Sequence, residues 1–268
     1  MYKGGFSMRI IIITGASSGM GREFARQLDG YLEHIDEFWL IARRTDRLHE
    51  LSKELKKDCR IFECDLSQRS SMVELIQELE TKKPKVKMLI NCAGYGKTGK
   101  FEKLNYQDVT GMIDVNCRAL SALTYSVLPY MCSNSRIINL ASVAAFMPQP
   151  EFSVYAASKA YVLRFSRALR REVDDRGIWV TTICPGPVNT EFFDVADKKN
   201  SASWYKSKVM VKCEDVVNRA LYDSLKKRDI SIYGIPMKFM YVISKIFPHR
   251  LTTRIIHKLN IYNADENV

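Results

Sequence analysis

The chain has 268 residues, of which 46% are hydrophobic and 26% charged, so it is long enough for one large α/β domain with a buried core. Its formal net charge of +11 favours anionic ligands, acidic partners or an anionic membrane surface. Nucleic-acid binding is disfavoured, because the basic residues are scattered through helical patterns without a tight basic block or a recognisable nucleic-acid motif.

Short β-branched runs alternate with helical patterns six times along the chain, which predicts an α/β fold with a doubly wound parallel sheet of about seven strands and helices on both faces, as in a Rossmann fold. The predicted strands are Arg9–Thr14, Phe38–Ala42, Arg60–Cys64, Val86–Cys92, Arg136–Ala141, Ile178–Cys184 and Asp229–Tyr233. The predicted helices run to Leu28, from a Thr45 cap to Lys57, from a Ser67 cap to Lys82, and over Tyr106–Val115, Asn116–Met131, Ser153–Asp175 and Glu214–Lys227.

The first strand ends in a glycine-rich turn, G-A-S-S-G-M-G at 15–21, that leads into a helix. Glycines let the backbone approach a pyrophosphate, and a helix N-terminus supplies N–H groups and a positive dipole. The spacing here is G-x-x-x-G-x-G rather than G-x-G-x-x-G. A strand before the turn and a helix after it nevertheless favour a dinucleotide cofactor.

The second strand ends at Ala42 and is followed by Arg43 and Arg44. In a dinucleotide-binding fold this position faces the adenosine ribose, where an acid binds the 2′-hydroxyl and an arginine accommodates a 2′-phosphate. No acid stands at Ala42 or Arg43, so the sequence favours NADP over NAD. Two surface arginines after a strand are the alternative reading.

The third and fourth strands end in polar or small residues, Asp65-Leu66-Ser67 and Asn91-Cys92-Ala93-Gly94. The carboxyl ends of parallel strands share one edge of a sheet, so both segments can face one crevice and contact an adenine. Asp65 also fits a turn or cap residue. Each signal is weak when taken alone.

Asn116 falls among apolar residues of its helical pattern, where a buried amide needs hydrogen-bond partners. It either stabilises the helix through a core hydrogen bond or belongs to a relay toward a catalytic lysine. Ser142 follows the fifth strand, where chemistry is expected. No histidine lies in this region to act as its base, so Ser142 is predicted to donate a hydrogen bond to a substrate oxygen.

Tyr155 and Lys159 are four residues apart in S-V-Y-A-A-S-K and therefore share a helix face. A free phenol has a pKa of about 10, and a nearby ammonium lowers that pKa toward the range of useful proton transfer. The same spacing is common on solvated helix faces, so the pair gains its meaning from the other motifs.

Five motifs occur in order along the chain and together resemble the short-chain dehydrogenase/reductase family from about Arg9 to Ile232. They are T-G-A-S-S-G-M-G at 14–21, N-C-A-G at 91–94, Ser142, Y-A-A-S-K at 155–159 and P-G-P-V-N-T at 185–190. Each motif is modestly specific, whereas all five at the family's separations are highly specific.

The resemblance implies a role for each matching position. Tyr155 would be the general acid/base, Lys159 its pKa-lowering partner and ribose anchor, and Ser142 the carbonyl-orienting hydroxyl, with Asn116 holding a relay water. The cofactor would meet a pyrophosphate loop (Gly15, Ser17, Ser18, Gly19, Met20, Gly21), a 2′-phosphate site (Arg43, Arg44), an adenine site (Asp65, Leu66, Asn91, Ala93, Gly94) and a nicotinamide loop (Pro185, Gly186, Val188, Thr190).

Beyond this core, the sequence predicts three parts: an N-terminal extension at 1–8, a catalytic domain at 9–233 with a substrate lid at about 190–212, and an apolar and basic helical tail at 234–268. The tail combines Met237–Phe247 with the basic segment Arg250–Leu259. This pattern fits a lid over an apolar substrate, a helix in a membrane interface or an oligomer contact. Similar tails occur in family members that resemble hydroxysteroid dehydrogenases and 3-ketoacyl reductases.

Seven cysteines without a C-x-x-C pair stand mostly in apolar runs, which indicates reduced core thiols without disulfides or structural zinc. The four histidines make no metal-ligand spacing, so no metal site is predicted. No signal peptide or transmembrane run is recognisable. We therefore expect a cytoplasmic protein, with a peripheral membrane pool left open.

These observations predict an NADP(H)-dependent carbonyl reductase that transfers a hydride between the nicotinamide and an apolar ketone, steroid-like or acyl substrate, or the corresponding secondary alcohol. One alternative is a 3-oxoacyl thioester reductase that receives an acidic acyl carrier. Another is a non-catalytic NADP(H)-binding regulatory or scaffold protein, against which the intact Ser142, Tyr155 and Lys159 argue. The family resemblance also implies a homo-oligomer, either a dimer or a tetramer.

Overall fold

A computed structural model describes residues 8–31, 34–192, 196 and 210–254. Seven parallel strands form one sheet in the order β3-β2-β1-β4-β5-β6-β7. They are β1 (Arg9–Thr14), β2 (Glu37–Ala42), β3 (Asp58–Glu63), β4 (Lys85–Asn91), β5 (Met131–Leu140), β6 (Trp179–Ile183) and β7 (Ile230–Ser231). The predicted doubly wound sheet is confirmed. Its order reverses between β1 and β4, which opens a crevice at their carboxyl ends.

Helices cover both faces of the sheet. They are α1 (Gly19–Tyr31), α2 (Thr45–Glu54), α3 (Val73–Lys82), α4 (Tyr106–Ile113), α5 (Leu120–Val127), α6 (Ser153–Glu172), α7 (Cys213–Leu225) and α8 (Ile235–Ile246). A π-helical turn, Asp114–Ala119, joins α4 to α5, so the two stretches predicted to be nearly continuous are so. Residues 249–254 are also helical.

The first strand shows why the sheet is buried on both sides. Ile11 and Ile13 pack in a cluster with α1, α2 and α7, whereas Ile10 and Ile12 pack in a second cluster with α3, α5 and α6. All four side chains are fully buried. Successive residues of a strand point to opposite faces, so a strand covered on both faces needs the continuous apolar run that the sequence has.

Both predicted helix caps are wrong. Arg44, not Thr45, occupies the N-cap of α2, and the helix ends at Glu54. It cannot reach Lys57, because the Lys57 N–H donates to the Asp29 carboxylate and β3 begins at the next residue. Ser67 does not cap α3, since its N–H and hydroxyl both donate to the Asp65 carboxylate.

The helix predicted to reach Met131 ends at Val127 instead. Pro129 stands in the short turn that follows, and proline lacks the N–H that a continuing helix needs. Met131 therefore begins β5, where it pairs with Val86 of β4. The fifth strand is thus longer at its start than predicted.

Two other predicted elements are shorter in the structure. The seventh strand has only Ile230–Ser231, which pair with β6 at the edge of the sheet. The helix predicted to end at Asp175 ends at Glu172, where turns lead into β6. Short edge strands limit unwanted pairing with other chains.

Several predicted segments lie wholly or mostly outside the described residues: the N-terminal extension, most of the predicted lid and the part of the basic segment after Arg254. Within the described ranges, none of the helices combines the length and the apolar character that crossing a membrane requires.

Candidate active site

The glycine turn lies at the carboxyl end of β1 and is closed by backbone contacts. Gly15 has a φ of +68°, and a Cβ built on it would lie 2.9 Å from the Ala93 backbone nitrogen. A Cβ on Gly21 would lie 2.3 Å from the Gly15 carbonyl oxygen. Only glycine fits both places. The turn opens the N-terminus of α1, whose first turn has no acidic residue, so its N–H groups suit an anion.

Arg44, rather than its neighbour Arg43, reaches across this turn. One of its nitrogens donates to Ser18 Oγ at 2.8 Å and lies 3.4 Å from Ser17 Oγ. Another pairs with Glu191 at 2.8 Å, and Arg47 pairs with the same carboxylate. Arg43 is exposed and has no ion pair within the described part of the chain.

Glu191 brings the segment after β6 to the arginines that follow β2. The guanidinium groups of Arg47 and Arg44 hold the pKa of the Glu191 carboxyl below its usual range. The carboxylate is therefore charged at neutral pH. A single acidic side chain thus joins the start of the predicted lid region to the predicted 2′-phosphate site.

The residues predicted on the adenine side differ in what they contact. The Ala93 N–H donates to Thr14 Oγ1 at 3.1 Å, which joins the ends of β4 and β1. Asn91 is buried and donates to Asn139 Oδ1 and Thr124 Oγ1, so its side-chain nitrogen is hydrogen bonded inside the protein and does not face the crevice. Asp65 accepts the hydrogen bonds of a local turn.

A half-buried arginine anchors the loop after β3. Arg118 donates to the carbonyl oxygens of Leu66 and Ser67, both at 2.9 Å. Leu66 itself is buried in the core cluster that contains α3. This loop therefore has a fixed backbone at the edge of the crevice, whereas its side chains make interior or local contacts.

The predicted nicotinamide loop follows β6 and reaches both halves of the site. The Val143 N–H donates to the Pro185 carbonyl oxygen at 3.0 Å, which places the loop beside Ser142. At its other end, a Cβ on Gly19 would lie 3.3 Å from Thr190 Cγ2. A Cβ on Gly186 would meet the side chain of Met237 in α8, and Val188 is buried and bridges to Val211. Met20 of the glycine turn is partly buried against the core.

Tyr155 lies in the first turns of α6, with only 6% of its surface exposed. Burial raises the pKa of its phenol well above the ordinary value, and a hydrogen bond with Ser142 offsets only part of that rise. The Ser142 hydroxyl also accepts a hydrogen bond from the Ala144 N–H at 3.1 Å. The structure thus brings Ser142 and Tyr155 together as predicted.

Lys159 is 2% exposed, and its Nζ donates to the Leu140 carbonyl oxygen at 2.8 Å. Nζ lies 5.6 Å from the centroid of the Tyr155 ring. Burial lowers the pKa of Lys159 to about 8. Burial raises the Tyr155 pKa above its ordinary value in this structure, so the predicted net lowering of that pKa is not found.

Asn116 lies in the π-helical turn, an irregularity that often marks functional sites. Its amide nitrogen donates to the Tyr95 carbonyl and to Ser158 Oγ, both at 2.9 Å, and its Oδ1 accepts from the Tyr95 N–H. A Cβ on Gly94 would lie 2.9 Å from Asn116 Oδ1 and 3.1 Å from Lys159 Nζ. The side chain therefore links the loop after β4 to α6, beside the lysine.

Apolar and aromatic side chains surround the phenol. Phe152 stacks on Tyr155 with ring centroids 4.3 Å apart, and Phe192 tilts against the same ring at 5.4 Å. Met112 and Ala144 are buried in the same cluster. A cavity of about 640 Å³ lies between α6, α8 and residues 144–150. Ser142, Tyr155 and Lys159 are not among the residues that line it.

Three thiols lie near Lys159: Cys92 and Cys184 are buried, and Cys117 is half-buried. Burial raises the pKa of each, so they remain protonated at neutral pH. The thiolate is the reactive form of cysteine, so these residues are not nucleophiles here. All seven cysteines are free.

The sequence analysis missed four residues that shape the site: Glu191, Arg47, Ser158 and Phe152. Ser158 and Phe152 had a usable signal, because each lies three residues from Tyr155 along the helical pattern and so on a nearby face. Glu191 and Arg47 had none, since their meeting depends on the fold of a loop far away in sequence.

The buried lysine should make stability depend on pH. Its pKa is about 8 in the folded protein against an ordinary 10.5. Below pH 8 both states carry the proton and the folded state bears the full cost of burying the charge. Between pH 8 and 10.5 only the folded state loses the proton, so the contribution of Lys159 to stability rises with pH. The shift corresponds to about 3 kcal/mol.

The free energy of unfolding of Lys159→Met should therefore exceed that of the wild type by more at pH 7 than at pH 10, and the gap should shrink by about 3 kcal/mol. Urea unfolding at both pH values measures it. The lost hydrogen bond to Leu140 adds an offset that does not change with pH. A gap that stays constant would contradict the depressed pKa.

Comparison with known proteins gives consistent matches. A family model described as short chain dehydrogenase matches residues 9–201. Sulfoacetaldehyde reductase 2 of Chromohalobacter salexigens is 33% identical over 235 residues, covering 83% of this chain and 91% of that protein. The NADP-dependent 3-hydroxy acid dehydrogenase YdfG of Escherichia coli (strain K12) is 30% identical over 235 residues, covering 85% of this chain and 94% of that protein.

Among solved structures, a short-chain dehydrogenase from Sphingobium yanoikuyae in complex with NADPH has the same architecture. It superposes with a TM-score of 0.73 at 25% sequence identity, covering 87% of this chain and 91% of the other.

Proposed function

The chain belongs to the short-chain dehydrogenase family, and from that membership we propose that it is an NADP(H)-dependent oxidoreductase acting on an apolar ketone or secondary alcohol. One observation carries the proposal: a buried tyrosine is hydrogen bonded to Ser142 and lies beside a buried lysine at the carboxyl end of β5, next to a glycine turn. NADP-dependent and NADPH-bound relatives support the choice of cofactor.

The residues at the crevice fit a dinucleotide phosphate. Side chains on Gly15 and Gly21 would collide with backbone, so the turn needs glycine at both places. The N–H groups at the start of α1 would then face a pyrophosphate. Ser17, Gly19 and the first turn of α1 would hold the same group. Ala93, Gly94 and the Asp65–Leu66 backbone would border the adenosine, and the Pro185–Thr190 loop would border the nicotinamide.

The choice of NADP rests on the arginines after β2. Arg44 contacts Ser17 and Ser18 beside the glycine turn and pairs with the Glu191 carboxylate. An anionic phosphate at this place would replace Glu191 as the partner of the guanidinium, which is a charged hydrogen-bond donor. Arg43 is exposed beside it. The end of β2 is Ala42, and no acid is present there to hold a ribose 2′-hydroxyl.

When bound, the nicotinamide supplies or accepts the hydride. The chain's own residues handle the proton and the charge on oxygen. In reduction, Tyr155 donates its phenolic proton to the developing alkoxide and Ser142 donates a hydrogen bond to the same oxygen. In oxidation, the phenolate of Tyr155 accepts the proton of the alcohol. A charged Lys159 beside the ring favours that phenolate.

The surroundings of Tyr155 support an apolar substrate. Phe152, Phe192, Met112 and Ala144 surround the phenol, and Lys159 Nζ lies 5.6 Å from the centroid of its ring. An acidic substrate would need a second cation to replace its hydration. We therefore propose a carbonyl flanked by apolar groups. Sulfoacetaldehyde reductase 2 and YdfG are named for acidic compounds, so substrate preference differs in this proposal.

Direct binding of NADPH and NADH to the purified protein tests the proposal, with Arg44→Ala as the variant. A hydrogen bond to a charged group contributes about 1.5–3 kcal/mol, so the variant should bind NADPH about ten- to a hundredfold more weakly and NADH unchanged. Arg60→Ala, which removes a half-buried ion pair with Glu78, is the matched control. The variant Arg43→Ala measures how much the exposed Arg43 contributes to the binding of NADPH.

Each outcome of this experiment has a clear meaning. Equal affinity for the two cofactors would overturn the preference for NADP. No binding of either would overturn the dehydrogenase proposal. Binding without turnover on a broad panel of ketones and alcohols would instead support a regulatory or scaffold protein.

We also propose a homo-oligomer, a dimer or tetramer. Large side chains on α4, α5 and α6 are exposed in the single chain, namely Tyr106, Ile113, Tyr125 and Tyr161. Exposed apolar and aromatic side chains on neighbouring helices are typical of contact surfaces between subunits. Light scattering on the purified protein measures the assembly.

A further inference from the structure

The helix α8 lies beyond the last strand and has two very different faces. Its inner face packs on the domain: the ring of Tyr241 contacts Phe146 at 4.9 Å, and Met237 and Met240 join the same apolar cluster. Ser244 is buried, and its hydroxyl donates to the Tyr241 carbonyl oxygen. The inner face thus fixes the orientation of the helix on the domain.

The outer face carries a continuous apolar stripe, formed by Ile235, Phe239, Val242 and Ile246. Their spacing of four, three and four residues places them on one side of a helix. They are 81%, 65%, 50% and 68% exposed. Phe247 and Leu251 continue the apolar surface and are also exposed. A contiguous exposed patch of this kind marks an interaction surface rather than ordinary surface.

Basic residues accompany the stripe, and acidic ones do not. Lys238 and Lys245, seven residues apart, lie on one flank of the stripe and are exposed, and Arg250 and Arg254 follow in the next helical segment. No aspartate or glutamate occurs between Ile230 and Arg254. The charged side chains of this segment are therefore all basic.

We propose that the outer face of α8 docks on an anionic lipid surface, with the helix lying in the plane of the membrane. The apolar stripe would enter the boundary between headgroups and acyl chains, and the lysines on its flank would reach the anionic headgroups. A helix of 12 residues is about 18 Å long, enough to lie in the interface and too short to span it.

The charge pattern favours lipid over a second copy of the chain. A two-fold contact through the stripe would bring the same segment from both subunits together. That segment contains no acid, so Lys238 and Lys245 would meet no opposite charge from the partner's copy of it. An anionic lipid surface supplies that charge along the whole length of α8.

Sedimentation with vesicles tests the proposal on the whole protein. Vesicles of phosphatidylcholine alone are compared with vesicles of equal parts phosphatidylcholine and phosphatidylglycerol, at low and high salt. Binding is expected to the anionic vesicles and to weaken in salt. Phe239→Asp should abolish it, and Lys238→Glu or Lys245→Glu should each weaken it about fivefold or more. Val242→Asp repeats the test within the stripe.

Val73→Asp is the matched control, because Val73 is 50% exposed at the start of α3 and the change adds the same charge elsewhere. It should leave vesicle binding unchanged. Equal binding to neutral and anionic vesicles, or equal binding by Phe239→Asp and the control, would overturn the proposal. The proposal would also be overturned if the protein did not bind vesicles but formed a dimer that Phe239→Asp dissociates. The stripe would then be the contact surface for a second copy of the chain.

Discussion

Replacing Tyr155 by phenylalanine is expected to lower kcat/KM for a ketone by about a thousandfold, because general acid catalysis contributes about 10²–10⁴. Phenylalanine preserves the ring that packs against Phe152 and Phe192, so the fold should lose only the hydrogen bond with Ser142, about 1 kcal/mol. Binding of NADPH should be unchanged. Steady-state kinetics and a cofactor titration on the same preparation measure both.

The control for this variant is Tyr161→Phe, on the same helix. Tyr161 is 43% exposed and shares a hydrogen bond with Ser121, so its hydroxyl does not face the site. Its activity should match the wild type. If Tyr155→Phe kept a tenth or more of the wild-type rate, the proton would come from another group and the proposed role of Tyr155 would be wrong.

Replacing Gly21 by alanine is expected to abolish cofactor binding at accessible concentrations. The new Cβ would lie 2.3 Å from the Gly15 carbonyl oxygen, and the three nearest atoms are all backbone, so no flexible side chain can move away. The turn must then open, which displaces the N–H groups that we propose bind the pyrophosphate. Overpacking of this kind costs about 1–3 kcal/mol of folding free energy. Calorimetric NADPH titration and urea unfolding measure the two effects.

Gly30→Ala provides the comparison, since it lies in the same helix and its Cβ would meet nothing within 4 Å. This variant should bind NADPH normally. Its free energy of unfolding should rise by up to about 1 kcal/mol, because alanine is a better helix former than glycine. Normal NADPH binding by Gly21→Ala would show that the turn does not hold the cofactor.

The fold was predictable because its signals are local. Four consecutive isoleucines at 10–13 need apolar contacts on both faces, which only a covered parallel sheet provides. The ends of elements were less predictable. Met131 was assigned to a helix, yet Pro129 ends that helix early and a strand begins. Ser67 has the chemistry of a cap, but a neighbouring carboxylate takes its hydrogen bonds.

The residues of the candidate site were likewise predictable only where their signals are local in the sequence. Tyr155 and Lys159 were predicted from helical spacing, Ser142 from its position after the fifth strand, and their roles from the family resemblance. The structure brings these side chains together. The partners of Arg44 could not be found, because Glu191 reaches it from a loop 147 positions away. The direction of the Tyr155 pKa also needed the fold, since the degree of burial decides it and no sequence pattern reports burial of one hydroxyl.

The strand order has a consequence for how the chain folds. β1 lies between β2 and β4, so Thr14 must pair with Asn91, which comes much later in the chain. Contacts between distant residues require the closure of long loops before any gain in stability, and they slow folding. During synthesis β1 therefore cannot pair with β4 until the chain has been made as far as Asn91. We expect refolding to be slow, with the glycine turn completed only when β4 docks.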